Sequence, residues 1–188
     1  MLRSISLSLA ILVCQPSSAM ALTAITVGDY FMPAGTAGNQ ISVFVTGGDA
    51  VPELNFIMDS NNNVAGGPII TAVDIVGPGT IFFGNNTGQL GVPAPPATKI
   101  KQTTTTVSGT VLANGLLGHV TFSTVGISPG KYNLRMANMA AASGGSATNF
   151  SSSFPNVING SITVVPEPSA LILPVVGFIG LAAWRWRR

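Results

Sequence analysis

Between Leu22 and Val165 the chain alternates apolar and polar residues in short runs separated by turn-forming residues. In NQISVFVTGG, Ile41, Val43 and Val45 share one face while Ser42, Phe44 and Thr46 share the other. Leu54, Phe56 and Met58 alternate with Asn55 and Ile57, and Tyr132, Leu134 and Met136 alternate with Asn133 and Arg135. A period of two puts one set of side chains in a core and the other toward solvent. The segments TAITV, PIITAVDIV, GTIFFG, QTTTTVSGTVLA, LLGHVTFSTV and GSITVV read as further strands. No window keeps the spacing of an amphipathic helix. About nine strands at this spacing predict an all-β domain, a single sandwich or jelly roll. Asn114-Gly115, between two apolar runs, predicts a two-residue hairpin, because both central residues of such a turn need positive φ.

Two stretches interrupt the strand pattern, residues 84–99, rich in Gly, Asn, Ala and Pro, and residues 140–154, rich in Ala, Ser and Gly. Connections of this length are either mobile or functional. Three Asn-x-Ser/Thr triplets, at Asn85, Asn149 and Asn159, mark exposed loops more than sugar attachment in a chain so rich in these residues.

Candidate chemistry is sparse. The single histidine, His119, falls on the face opposite Val120 and Phe122, where a solvated role is expected. Asp29, Asp49, Glu53 and Asp59 stand beside turns or strand ends, where carboxylates are commonly solvated or cap a turn. No nucleophile elbow, zinc-protease helix or phosphate-binding loop occurs. The sequence therefore predicts a non-enzymatic domain without a cofactor. Asp59, Asn61 and Asn63 have the spacing at which a calcium loop begins, but Val64 stands where that loop needs glycine and Ile70 where it needs glutamate. A polar turn fits these three residues better than a metal site.

The ends have a different character. Residues 1–21 carry Arg3, an apolar stretch from Ile5 to Val13 and the small-residue site Ala19-Met20-Ala21. This layout predicts a signal peptide read by the general secretory machinery and cleaved after Ala21. Cys14 is the only cysteine; Ile11, Leu12 and Val13 before it do not fit a lipid-attachment site, and its loss with the signal leaves no thiol. At the other end, residues 168–184 form a charge-free run of 17 residues, at the short limit for a membrane-spanning helix. Trp184 and Trp186 suit the bilayer interface, and Arg185, Arg187 and Arg188 would hold the tip in the cytoplasm. The computed pI of about 9.0 is therefore misleading. Between residues 22 and 165 four bases face five acids, a net charge of −1, too little basicity for a nucleic-acid partner.

Val165-Pro166-Glu167-Pro168, the apolar run and the arginine-rich end together resemble the PEP-CTERM sorting tail of exported bacterial proteins. The resemblance implies recognition by an exosortase, a membrane cysteine protease-transpeptidase that removes the helix near Pro166, Glu167 and Pro168. It further implies a transient stay at the inner membrane, then delivery to the cell surface or extracellular matrix. On this reading 1–21 is the signal, 22–165 the β domain and 166–188 the sorting tail. More loosely, ITVGDYFMPAGTAGNQISVFVTGG and LLGHVTFSTVGISPGKYNLRMAN make the domain similar to cohesin-type and carbohydrate-binding β-sandwiches. That similarity implies an alternative role in binding extracellular polysaccharide or a protein partner. The absence of tryptophan from 22–165 weighs against a sugar platform.

Overall fold

The computed structural model describes residues 23–92, 96–136, 148–151 and 154–167. The expected signal, and the tail from Pro168 through Arg188, lie outside the described residues. The rest is a β-sandwich with no α-helix among the described residues.

Thirteen strands build it: β1 (Ala24–Thr26), β2 (Asp29–Pro33), β3 (Asn39–Thr46), β4 (Ala50–Val51), β5 (Glu53–Ser60), β6 (Ile69–Asp74), β7 (Leu90–Val92), β8 (Lys99–Thr105), β9 (Val111–Leu112), β10 (Gly115–Ser123), β11 (Gly130–Met136), β12 (Asn156–Ile158) and β13 (Gly160–Val165). One sheet has the order β12-β1-β3-β10-β6, the other β2-β13-β11-β5-β8-β7, and β4 and β9 form a small separate ribbon. The alternation read from the sequence holds: Ile41, Val43 and Val45 are buried against Phe56, Met58, Leu134 and Met136, while Phe44 on the opposite face is exposed. Ile57 departs from the pattern. It lies on the outer face of its sheet yet is buried, because the Thr148 hydroxyl bridges its backbone N and O at 3.1 Å and Asn149 pairs with Asn55.

The first and the last described segments each divide between the two sheets. β1 pairs in parallel with β12 in the first sheet, and β2 pairs in parallel with β13 in the second. The two segments pass from one sheet to the other at the same place. There Val27 N–H donates to Ile158 O at 3.0 Å and Ser161 N–H to Gly28 O at 3.2 Å. Only glycine fits at 160, since a Cβ there would fall inside the Gly28 carbonyl, and Gly28 itself needs its φ of +89°.

Three expected elements form differently. Asn114-Gly115 closes no hairpin: only Gly115 has positive φ, and β9 pairs with β4 instead of β10. The competing bonds are Ala113 N–H to Asp49 O (2.8 Å) and Gly48 N–H to Ala113 O (3.1 Å), which draw this arm onto the preceding loop. QTTTTVSGTVLA is no single strand, because Gly109 (φ +58°) breaks it between β8 and β9. GTIFFG is a run of turns between Gly79 and Gly84, both with positive φ, that buries Phe82 and exposes Phe83. Apolar content made this segment look like a strand, but the glycines at its ends decide its backbone.

Candidate functional site

The expected sorting motif begins where the core ends. Ile162 and Val164 of β13 are buried, and their ladder with β2 runs through Val164↔Met32 and Val165↔Pro33. Ala34 N–H donates to Val165 O at 2.8 Å, the last bond of that ladder. Pro166 has no N–H to continue it. Pro166 and Glu167 are exposed, and the Glu167 carboxylate lies over Gly35, whose missing side chain makes room: a Cβ there would be 2.6 Å from Glu167 Oε1. Gly35 also has a φ of +69°. Pro168, the cleavage residues Ala19 and Ala21, and the stop residues Arg185, Arg187 and Arg188 lie outside the described residues.

The candidate calcium residues are not brought together. Both carboxylate oxygens of Asp59 face Arg135, at 3.4 Å from Nε and 3.2 Å from Nη2, on adjacent strands where the two residues are in register. Asn61, at the start of a one-turn 3-10 segment, turns its amide back to Val64 O at 3.4 Å. An arginine on the one full acid of the trio opposes a cation there. Asn63 sits in the same 3-10 turn.

His119 lies opposite Ser42 on one side and Asp74 on the other, an order that resembles a catalytic triad. Its geometry is different. His119 Nδ1 is 3.1 Å from Ser42 Oγ, but Asp74 Oδ1 accepts the backbone N–H groups of Val76 (3.0 Å) and Gly77 (2.6 Å). Asp74 therefore caps a turn and does not orient the imidazole. Tyr30, behind this row, places its hydroxyl between Val27 O (2.8 Å) and Ser42 O (2.7 Å). Burial raises its pKa above 10.0, partly offset by the Ser42 hydrogen bond.

The first interrupting stretch is largely fixed. Asn85 Oδ1 accepts Val107 N–H and Ser108 N–H while its amide donates to Ser108 O. Gln89 Oε1 accepts Ile75 N–H at 2.8 Å and its Nε2 donates to Val73 O at 2.6 Å. Residues 90–92 then form the edge strand β7. The other two triplet asparagines are also engaged: Asn149 Oδ1 accepts Asn55 Nδ2, and Asn159 Oδ1 accepts Met136 N–H, each at 2.9 Å. All three act as latches for backbone or neighbouring side chains, a role that the triplet pattern does not signal. Sequence reading also missed an open cleft of about 530 Å³ on the β7–β8 edge, lined by Leu90, Gly91, Lys101 and Thr103. Two of its lining residues, Leu90 and Gly91, come from the unforeseen strand β7.

Comparison with known proteins follows the same division between tail and sandwich. Residues 164–188 match the PEP-CTERM protein-sorting motif. No curated protein sequence matches the chain. Among solved structures, the chain is similar to a non-cellulosomal cohesin from the hyperthermophilic archaeon Archaeoglobus fulgidus, with 18% identity, 80% of this chain and 96% of that one covered, and a TM-score of 0.50. It is also similar to the seventh ScaB type I cohesin of Pseudobacteroides cellulosolvens, with 15% identity, coverage of 78% and 94%, and a TM-score of 0.51. A type III cohesin from the cell-surface anchoring scaffoldin ScaE of Ruminococcus flavefaciens gives 9% identity, coverage of 77% and 88%, and a TM-score of 0.52. At such identities the likeness is one of fold alone. The chain thus carries a PEP-CTERM protein-sorting motif joined without a spacer to the last strand of a β-sandwich that resembles cohesin modules.

Proposed function

We propose that this chain is an exported, non-enzymatic protein of the cell surface or extracellular matrix, delivered through its C-terminal signal. The general secretory machinery takes it across the membrane from its first 21 residues. The run from Pro168 then holds it at the inner membrane until an exosortase-type enzyme cuts near Pro166, Glu167 and Pro168. The observation that carries this reading is the match of residues 164–188 to the sorting motif, with Pro166 and Glu167 exposed beyond the last core strand. Both residues are thereby accessible to a processing enzyme without unfolding of the sandwich. The test is intact mass and fractionation of the protein from a bacterium with an exosortase and from its exosortase-deficient derivative. A surface product lacking the C-terminal run, replaced by a membrane-retained form in the deficient strain, supports the reading. A surface product that still contains Arg188 overturns it.

A second reading is favoured by the cleft at Leu90, Gly91, Lys101 and Thr103 and by the fold. In it the delivered sandwich is a cohesin-like binding module for a protein partner or a polysaccharide. Retention of the exported protein on polysaccharide gels, with and without calcium, tests the sugar branch. Retention that is lost in Lys101→Ala would locate binding in the cleft, and passage through every matrix would leave display as the role.

A further inference from the structure

The spacing between the sandwich and the apolar run fixes more than the route. The β2–β13 ladder ends at Val165 and the charge-free run starts at Pro168, so only two residues, three Cα-to-Cα steps with a reach of about 10 Å, separate them. The polar layer on each side of a bilayer is about 6 Å thick. While the run is inserted, the exit of the sandwich is therefore held within about 4 Å of the headgroup surface.

The strand directions identify which end is held there. Thr124, after β10, accepts Thr36 into the same corner: its N–H donates to Thr36 O at 2.7 Å and its hydroxyl to Pro33 O at 2.6 Å, beside Val165. β11 starts at this end, with Gly130 opposite Val164, and β6 starts at it, with Ile69 opposite Ser123. The loops at 34–38, 61–68 and 124–129 therefore surround the exit of the chain. Val64 and Val125, in two of these loops, are 58% and 60% exposed. Lys131 stands two ladder positions from Val165, whereas Lys99, opposite Asp59, is set about six positions back. The acids are set back from the exit: Asp49 and Glu53 flank β4 at the opposite end, Asp29 is four ladder positions back from Pro33, Asp74 closes β6, and Asp59, directly opposite Lys99, is paired with Arg135. Glu167 alone brings a carboxylate to the exit, over Gly35.

We propose that this end of the sandwich is a lipid-docking surface that rests on anionic phospholipid headgroups while the C-terminal run is inserted. Lys131 meets the lipid phosphates, Val64 and Val125 enter the interface, and Asp49 and Glu53 point away, so the motif is presented to its processing enzyme at headgroup level. The inference rests on the sorting reading, and its test separates the two.

The experiment uses the full chain with Cys14→Ala, which removes the only thiol. A fluorophore is placed at Val125→Cys or, as a distal control, at Leu112→Cys in β9. Each is reconstituted in vesicles of phosphatidylcholine with or without phosphatidylglycerol, all carrying a headgroup spin-labelled quencher. The expected result is strong quenching at 125 and little at 112. A Gly/Ser insertion of about 20 residues after Val165, spanning roughly 25 Å, should lose quenching on neutral vesicles and retain it on phosphatidylglycerol. In that inserted variant Lys131→Ala should lower the docked-to-undocked ratio about fivefold, and Lys99→Ala, set back from the exit, should leave it unchanged. Equal quenching at both positions, or an inserted variant indifferent to phosphatidylglycerol, overturns the docking surface while the chain still floats with the vesicles. A chain that does not float overturns the membrane-held stage as well.

Discussion

The crossing of the terminal strands at Gly28 and Gly160 yields a test in which steric and conformational costs separate. Gly160→Ala adds a methyl where a Cβ would lie well inside 3.0 Å of the Gly28 carbonyl, a distance that real Cβ atoms essentially never show. Both partners are backbone, so no side-chain rotation relieves the overlap. Separating the strands by about 1 Å takes the 3.2 Å Ser161–Gly28 bond beyond hydrogen-bonding range and loosens the neighbouring Val27–Ile158 bond. Two weakened bonds at about 1 kcal/mol each, plus disturbed packing of Ile162 beside them, amount to about 3 kcal/mol. Gly48→Ala is the complement. Its φ is +78° but nothing lies within 4 Å of the added methyl, so only the left-handed backbone cost of about 1 kcal/mol applies. Guanidinium unfolding of residues 22–167, followed by tryptophan-independent far-UV circular dichroism, would measure both midpoints. Equal losses in the two variants, or a loss below about 0.5 kcal/mol for Gly160→Ala, would refute the claim that the crossing is sterically closed.

Other consequences are simpler to state. Arg135→Ala leaves the Asp59 carboxylate buried without its cation; because Arg135 is 38% exposed, the expected loss is about 1–2 kcal/mol by chemical denaturation, and Lys at 135 should recover part of it. Tyr30 is held protonated in the folded state above its unfolded pKa of 10.0, so its contribution is complete below pH 10 and is lost as pH rises through the folded value. Thermal melts should therefore fall more steeply above pH 10 for wild type than for Tyr30→Phe. Asn85→Ala removes three backbone latches of the stretch before β7, and hydrogen exchange at Thr87 and Gln89 should quicken with a loss of about 1–2 kcal/mol. Phe56→Ala, at the centre of the core, should cost about 3–5 kcal/mol.

Strand periodicity was the most legible property of this sequence, since alternation of Ile41, Val43 and Val45 or of Leu134 and Met136 needs only local pattern. Pairing was less legible. The likeness to cohesin-type sandwiches came from sequence, yet the fate of Asn114-Gly115 depended on a remote loop at Gly48 and Asp49. β2, β7 and β12 went unread because β7 and β12 are only three residues long and because β2, though its burial alternates, has the apolar Phe31 on its exposed face between Tyr30 and Met32. The tail was legible because its signal is contiguous: motif, apolar run and arginines in order. The exact seating of Glu167 over Gly35 was not, since it joins residues more than a hundred positions apart.

The interior place of β13 sets an order in time. It lies between β2 and β11, so the second sheet cannot close until residues 160–165 are available, and β12 likewise completes the first sheet late. In a chain exported N-terminus first, those residues clear the translocon only as the apolar run enters it. On the proposed route, arrest of translocation and completion of the fold would coincide, and a truncated export product ending before Gly160 would remain open, with β2 unpaired and one edge of β11 exposed to proteases and aggregation.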